Sequence, residues 1–477
     1  MSDQDDSPSQ QAEERSSLPP TWVGSGRPVP RTFVQPVLRF MRLEAAGGVV
    51  MLVAAVAAVA WANSPWSDSY FDLFGTTIHL EFGDFGFQHL SELTVQEWIN
   101  DALMVVFFFV VGLEIKRELV IGELRDPRAA ALPAIAALGG MVVPAVLYTL
   151  FNSGGPGSHG WGIPMATDIA FAVGIVALVG QKVPVTAKLF LLALAIVDDL
   201  GAILVIAIFY TSQLSLGWLA AGAAGLALMW VLREVSVRSI WAYLAVGGFV
   251  WLAILESGVH ATVAGVAIAL LTPVEPFLDP QKFADRARLM VDRVDEYVPD
   301  DEPLDLSDHH TIERVQKEMS DLRTLTAGSL PPLMRLEYAL NPFSSFVVVP
   351  LFALANAGVV VTADSLGGFL ADDVALGIFV GLLVGKTLGV TGAAWLAVRL
   401  GLGRLPAHTT WRHMIGMGLL AGVGFTVALF VGALSFEPGS ALADSAKIGI
   451  FAASLVAGAG GFLWLRSGPE PAERAGG

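Results

Sequence analysis

Apolar segments long enough to cross a bilayer recur along this chain, and no other feature limits its fold as strongly. Their approximate bounds are 43–62, 96–115, 130–151, 161–180, 185–210, 216–232, 239–255, 258–273, 337–361, 374–398, 413–434 and 445–465. About 20 apolar residues in a helix match the thickness of the hydrocarbon core. Composition agrees: 54% of the 477 residues are hydrophobic and only 15% are charged, against about 25% charged in a soluble domain. The expectation is an all-α polytopic membrane protein with twelve transmembrane helices.

Loop charges test that count, because Lys and Arg concentrate in cytoplasmic loops. Loop 63–95 has neither residue, and the next loop has Lys116, Arg117, Arg125 and Arg128. The alternation continues: none in 152–160, Lys182 and Lys188 next, none in 211–215, then Arg233 and Arg238. Around Ser257 there is none, 274–336 has eight, 362–373 has none, and Arg399, Arg404 and Arg412 follow. Only Lys447 breaks the pattern. Twelve spans with both termini in the cytoplasm fit, in a multi-pass protein of the cell membrane, with the lipid bilayer as its solvent. One missed span would invert every later loop.

This divides the chain into a disordered acidic tail with a juxtamembrane segment (1–42), spans one to eight (43–273), an acidic cytoplasmic loop (274–336), spans nine to twelve (337–465) and a disordered C-terminal tail (466–477). The first 27 residues lack an early apolar run, so no cleavable signal peptide is expected. Much of the net charge of -16 lies in the acidic tail and the 274–336 loop. No basic patch suggests nucleic-acid binding. With no cysteine, disulfides and thiolate metal sites are excluded, and no cofactor is expected. In 77–90, Ile78, Leu80 and Phe82 alternate with Thr77, His79 and Glu81 before Gly83-Asp84, which predicts a β-hairpin. An isolated hairpin is marginal, so a partner is expected for it, such as a second subunit. In the acidic loop, Ile312, Val315, Met319 and Leu322 predict a short amphipathic helix. The pair His309-His310 reads as solvated rather than metal-binding.

Charges inside the spans point to function. Asp198 and Asp199 sit near the middle of the fifth segment, where a charged side chain costs about 2.5–3.5 kcal/mol on insertion scales. Successive helix positions are about 100° apart, so one aspartate can meet a cation while the other meets a partner. Lys386, about twelve residues from either end of the tenth segment, is the evident partner. The run Gly381-x-x-x-Gly385-Lys386-Thr387 is one residue short of a phosphate loop and lies inside a span, so nucleotide binding is rejected. Asp168, beside Thr167, follows Pro164, which invites a break in the fourth helix. Gly416, Gly418, Gly422 and Gly424 weaken the eleventh. Segments three to five and ten to twelve are thus two triplets of opposite orientation with interrupted middle members, the pattern of inverted repeats crossing at the midplane. Asp101, Glu114 and Arg117 belong to the second segment. Glu114 and Arg117 can pair on one face, and Glu114 can attract cations into a funnel. His260 opens the eighth span and can titrate near neutral pH.

Several ordered motifs together resemble the NhaA-type Na+/H+ antiporters over about residues 40–465. They are Gly112-Leu113-Glu114-Ile115-Lys116-Arg117-Glu118-Leu119, Ala166-Thr167-Asp168-Ile169-Ala170-Phe171, Val197-Asp198-Asp199-Leu200-Gly201-Ala202, Gly258-Val259-His260-Ala261-Thr262 and Gly422-Val423-Gly424-Phe425-Thr426. That family is itself a standard example of inverted-repeat transporters, so agreement with the repeat pattern is not independent of the resemblance. The resemblance implies electrogenic, pH-regulated exchange of Na+ or Li+ for H+ by alternating access. It implies Asp199 as the main carrier with Asp198 and Thr167 at the cation site, Asp168 and Lys386 balancing charge at the helix crossing, and an Asp198–Lys386 ion pair. It also implies a pH-responsive or cation-funnel set in which Glu114, Arg117, Glu118 and Glu337 join Asp101 and His260, and a homodimer through hairpin 77–90. The chain departs from the family at Tyr338 and Asn341, where histidine is expected.

Three other classes compete, one of them a passive channel, which would not need a titrating pair. A sodium-coupled solute symporter can share this architecture. Intramembrane aspartyl proteases need two carboxylates facing one water, which Asp168 and Asp199 could supply, but no Gly-x-Gly-Asp motif is present and such an enzyme has no use for Lys386.

Overall fold

The computed structural model describes residues 46–79, 93–211, 214–235, 237, 240–276, 279–297, 308–362 and 367–468. Helices dominate. In chain order they are α1 (Ala46–Ala62), α2 (Ser67–Gly75), α3 (Val95–Val120), α4 (Pro127–Asn152), a 3-10 arm (Pro156–Met165), α5 (Ile169–Val179), α6 (Val185–Phe209), α7 (Leu216–Glu234), α8 (Ile240–Glu256) and α9 (Thr262–Leu271). After these come α10 (Pro280–Tyr297), α11 (His309–Ser329), α12 (Pro332–Asn356), α13 (Asp373–Arg399), α14 (Trp411–Ala421), α15 (Phe425–Ser435) and α16 (Ala441–Arg466). Seven of these are long and apolar enough to cross a membrane, or ten if each sharply bent pair counts as one span. Two shorter apolar helices lie within 240–271. The chain is therefore an all-α, multi-pass membrane protein.

Two bundles form. In one, α4 packs along α13, α6 lies on α4, α16 packs on α13 and α14, and the 3-10 arm packs on α15. In the other, α3 packs on α9 and α12, α7 on α8, and α1 on α12. Close approach of α4 and α13 depends on having no side chain at Gly139 and Gly389: a Cβ on Gly389 would lie 2.2 Å from the Gly139 carbonyl oxygen. Small residues at such crossings allow the backbone proximity that drives helix association in lipid.

Both interrupted helices bend at a three-residue break, by 43° between the 3-10 arm and α5 and by 42° between α14 and α15. The first break falls at 166–168, just beyond Pro164, because the stretch before it winds as a 3-10 helix through Pro156 and Pro164. Proline removes a donor from the ladder, and tyrosines replace the missing support. Tyr148 donates to the Gly157 carbonyl at 2.6 Å. The Tyr210 hydroxyl donates to the His159 carbonyl at 2.8 Å and accepts from the Gly162 N–H. α3, α12 and α13 each contain one π-helical turn, at Ile99–Leu103, Ser344–Val348 and Gly381–Gly385.

The regions outside the spans differ from expectation in part. Strand β1 (Thr77–Ile78) pairs antiparallel with β2 (Leu93–Thr94), while the rest of the expected hairpin, with its Gly83-Asp84 turn, lies outside the described residues. So does the N-terminal tail. The acidic loop holds two packed helices, α10 and α11, rather than one short helix. Ile312, Val315 and Leu322 face the packed side, but Met319 is half exposed and Glu318 is buried instead. The reason is a cross-hairpin ion pair: Arg293 on α10 reaches Glu318 at 3.3 Å.

Gly389→Val should overpack the α4–α13 crossing and cost about 1–3 kcal/mol, lowering the melting temperature in detergent. Gly392→Ala, whose added Cβ meets nothing within 4 Å, should leave it nearly unchanged.

Candidate cation site

The site begins with a shape problem in α6. Asp198 and Asp199 are both buried, at 1% and 4% exposure, and they point to different neighbours. Asp198 faces α13, where the Lys386 ammonium donates to its Oδ2 at 2.5 Å, with both side chains fully enclosed. Lys386 begins the regular helix immediately after the π-helical turn Gly381–Gly385. Its amine is bonded to Asp198, not to a carbonyl of an interrupted helix. Among the described residues, Asp199 forms no ion pair, although it lies within reach of the Lys386 charge. Asp198 Oδ1 and Asp199 Oδ1 are both buried without a hydrogen-bond partner.

The helix crossing supplies the next shell. At the break, the Asp168 N–H donates to the Val423 carbonyl at 2.6 Å, and the Thr167 hydroxyl donates to the Ala421 carbonyl at 2.9 Å. The same hydroxyl lies beside the Asp198 carboxylate. Asp168 caps the start of α5 by accepting from the Phe171 N–H at 3.1 Å. It also accepts the Thr426 N–H at 3.0 Å and the Thr426 hydroxyl. Two helix N-termini, those of α5 and α15, therefore converge on one buried carboxylate, and both favour negative charge there. Gly424 permits this approach: a Cβ there would lie 2.9 Å from the Ala166 carbonyl oxygen.

Asp168 is thus a helix cap, but at 3% exposure it does not face water. With both of its oxygens engaged by Phe171 and Thr426, it does not share a water with Asp199 as a protease pair must. Thr426 is the site residue that sequence reasoning passed over. It stood among the glycines of the eleventh segment, and its only signal was a hydroxyl following Gly424.

The remaining polar residues divide into two groups at opposite ends. Arg117 gathers one: it pairs with Glu337, lies 3.5 Å from Glu118 and 3.8 Å from Glu114. Glu118 also lines a cavity of about 780 Å³ with Arg125, Asp126, Leu192 and Ala193. Ala193 is six residues from Asp199 on α6, about 9 Å along the axis. Asp101 and His260 do not join this group. Asp101 sits in the π-helical turn of α3, its carbonyl accepting from Trp251 at 3.0 Å. His260 Nε2 lies 2.7 Å from the Tyr210 carbonyl oxygen. Tyr338 is 87% exposed and stands clear of the buried Glu337 beside it. Among the described residues, no group of three or more His, Asp and Glu side chains is placed to hold a metal ion.

Between the two bundles, Phe430 of α15 packs against Phe108 of α3 and Phe352 of α12, with centroids 5.4 and 6.1 Å apart.

Removing Lys386 leaves a buried carboxylate uncompensated, so Lys386→Met should destabilise the protein by about 3–5 kcal/mol. The double variant Asp198→Asn/Lys386→Met should lose less than the sum of the single losses. Thermal unfolding of all three variants in detergent at neutral pH measures the coupling, and simple additivity would contradict the buried pair.

Comparison with known proteins identifies the family. Residues 38–465 match the family model described as Na+/H+ antiporter 1. A protein of Oleidesulfovibrio alaskensis named Na(+)/H(+) antiporter NhaA is 46% identical over 441 residues, covering 91% of this chain and 95% of that one. Relatives from Sorangium cellulosum and Wolinella succinogenes, named Na(+)/H(+) antiporter NhaA 2 and Na(+)/H(+) antiporter NhaA, are each 43% identical over 90% or more of both chains. With its family model covering nearly all of the membrane region, this chain belongs to the Na+/H+ antiporter 1 family.

Proposed function

We propose that this chain is a secondary transporter, not an enzyme, that exchanges Na+ or Li+ for H+ across the cell membrane. One observation carries the reading: of two adjacent buried carboxylates, Asp198 is in an ion pair with Lys386 while Asp199, among the described residues, is in none. A lone buried carboxylate is costly to leave ionised, so it is stable either protonated or holding a cation. Sodium, a hard cation, favours oxygen ligands (by analogy with calcium and magnesium). Asp199 Oδ1 and Asp198 Oδ1 are buried oxygens without a hydrogen-bond partner, and the Thr167 hydroxyl beside Asp198 adds another oxygen. Proton and cation compete for Asp199, so moving the site from one face to the other exchanges them without nucleotide hydrolysis.

The architecture supporting this reading has twelve spans. The seven long helices, the three bent pairs and the two short apolar helices take up the twelve apolar segments of the sequence. The matched bends favour inverted repeats made of α4–α6 and α13–α16, with Asp168 and Lys386 balancing charge near their crossing. Loop charges favour cytoplasmic termini and put the 780 Å³ cavity on the cytoplasmic side. The five segments of the chain, from the acidic tail to the C-terminal tail, are proposed with the bounds given above. The group Glu114, Arg117, Glu118 and Glu337 guards that mouth as a cation funnel and pH-responsive network, while Asp101 and His260 serve the opposite face. The β1–β2 pairing fits the base of a hairpin through which two subunits associate.

The test is direct. In inside-out vesicles carrying a proton gradient, added sodium or lithium should collapse the gradient, and Asp199→Asn should reduce the response to background. An unresponsive wild type, or full activity in Asp199→Asn, would overturn the assignment. Across about pH 6 to 9, around the histidine range, activation with rising pH is expected from the carboxylates around Arg117, without histidine at 338 or 341. A flat profile would remove that group from pH sensing.

A further inference from the structure

Lys447 is the one cation that breaks the alternation of loop charge. It lies one and a half turns into α16, near the face away from the cavity. Its ammonium donates to the Gly358 carbonyl at 2.8 Å, in the segment that follows α12. That hydrogen bond joins the two bundles. Gly358 itself is held on its other side: its N–H donates to the Tyr70 hydroxyl at 3.1 Å, and Tyr70 donates to the Leu354 carbonyl at 2.8 Å. Asn63 binds the next residues from α1, donating to the Val359 carbonyl at 2.7 Å and accepting from the Val361 N–H at 2.8 Å. The acceptor of the Lys447 bond is therefore fixed to α1, α2 and α12, while its donor rides on the bundle that carries the cation site.

A second acceptor waits on the same helix. Asp444, one turn before Lys447, lies 4.0 Å from its ammonium. Beside the contact is a cavity of about 330 Å³ lined by Val360, Asp372, Asp444 and Ser445, so the seam here is not fully packed. Asp372 is occupied, accepting from Ser445 and from the N–H groups of Val374 and Ala375. If the bundles part on this face, the bond to Gly358 is lost by displacement. The contact with Asp444 is not, because both residues belong to α16.

We propose that Lys447 is an outer-gate residue: bound to the Gly358 carbonyl it holds the bundles closed on the outer face, and its transfer to Asp444 accompanies opening. This rests on the exchange reading for its purpose but not for its test. The contact is a two-state element with a named partner in each state. Removing Lys447 should favour the open arrangement, and removing Asp444 should favour the closed one.

The natural chain has no cysteine, so a single introduced thiol reports on the seam. Val359, at 1% exposure, suits that purpose. In right-side-out vesicles, a membrane-impermeant maleimide should label Val359→Cys slowly. Adding Lys447→Met should raise the rate about tenfold or more, as expected for loss of a hydrogen bond from a charged donor. Lys447→Arg should keep it close to the parent rate, and Asp444→Asn should lower it. Should Val359→Cys not insert, Ala357→Cys, equally buried, gives the same readout. Unchanged labelling in Lys447→Met, an arginine variant as fast as the methionine one, or faster labelling in Asp444→Asn would each overturn the gate. Labelling needs no ion flux. A chain that responds in this way but exchanges no sodium for protons would overturn the exchange reading and keep the gate.

Discussion

The ion pair between Lys386 and Asp198 is the interaction on which the rest of the structure depends. Each charge taken out of water into an apolar interior costs several kcal/mol, and only close pairing makes the burial tolerable. At 2.5 Å and with no exposed side-chain surface, this pair ties α6 to α13 at the heart of one bundle. The glycine approach of α4 to α13 lets a third helix cover the lysine. The pair also has a consequence for its neighbour. By pairing with Lys386, Asp198 leaves Asp199, among the described residues, as a buried carboxylate outside any ion pair.

The two broken helices solve a related problem. A chain break in lipid exposes backbone groups that must be satisfied within the protein. Here each break satisfies the other: Asp168 N–H meets the Val423 carbonyl, and Thr167 meets the Ala421 carbonyl. Asp168 then gathers the free N–H groups at the starts of α5 and α15. Its charge is a structural requirement of two helix N-termini meeting, which separates its duty from that of Asp199 although both are buried acids. The same crossing brings the Thr167 hydroxyl beside Asp198.

The two faces of the seam between bundles are built differently. On one, a cavity of about 780 Å³ reaches up α6 toward the aspartates and is bordered by charged residues. On the other, Lys447 and His260 each reach a backbone carbonyl across the seam. Access from one side and closure on the other is what an alternating-access site requires in either of its end states.

Much of this was legible in the chain itself. Spans such as α4, α6 and α16 follow directly from apolar length, because the bilayer imposes that length. Asp198, Asp199, Asp168 and Lys386 stood out because charge inside an apolar run is costly. That Lys386 pairs with an aspartate followed from the same cost. Which aspartate it meets was implied only by the family resemblance, since two positions about 100° apart on a helix look alike in sequence and differ only in what packs against them; the packing puts Lys386 on Asp198. Tertiary structure alone brought Thr426 to Asp168 and Arg117 to Glu337 across hundreds of residues, and it separated Asp101 and His260 from the group around Arg117. The cost of burying charge is local and can be read residue by residue. The partner that makes the burial possible belongs to another helix, and only the packing of helices selects it.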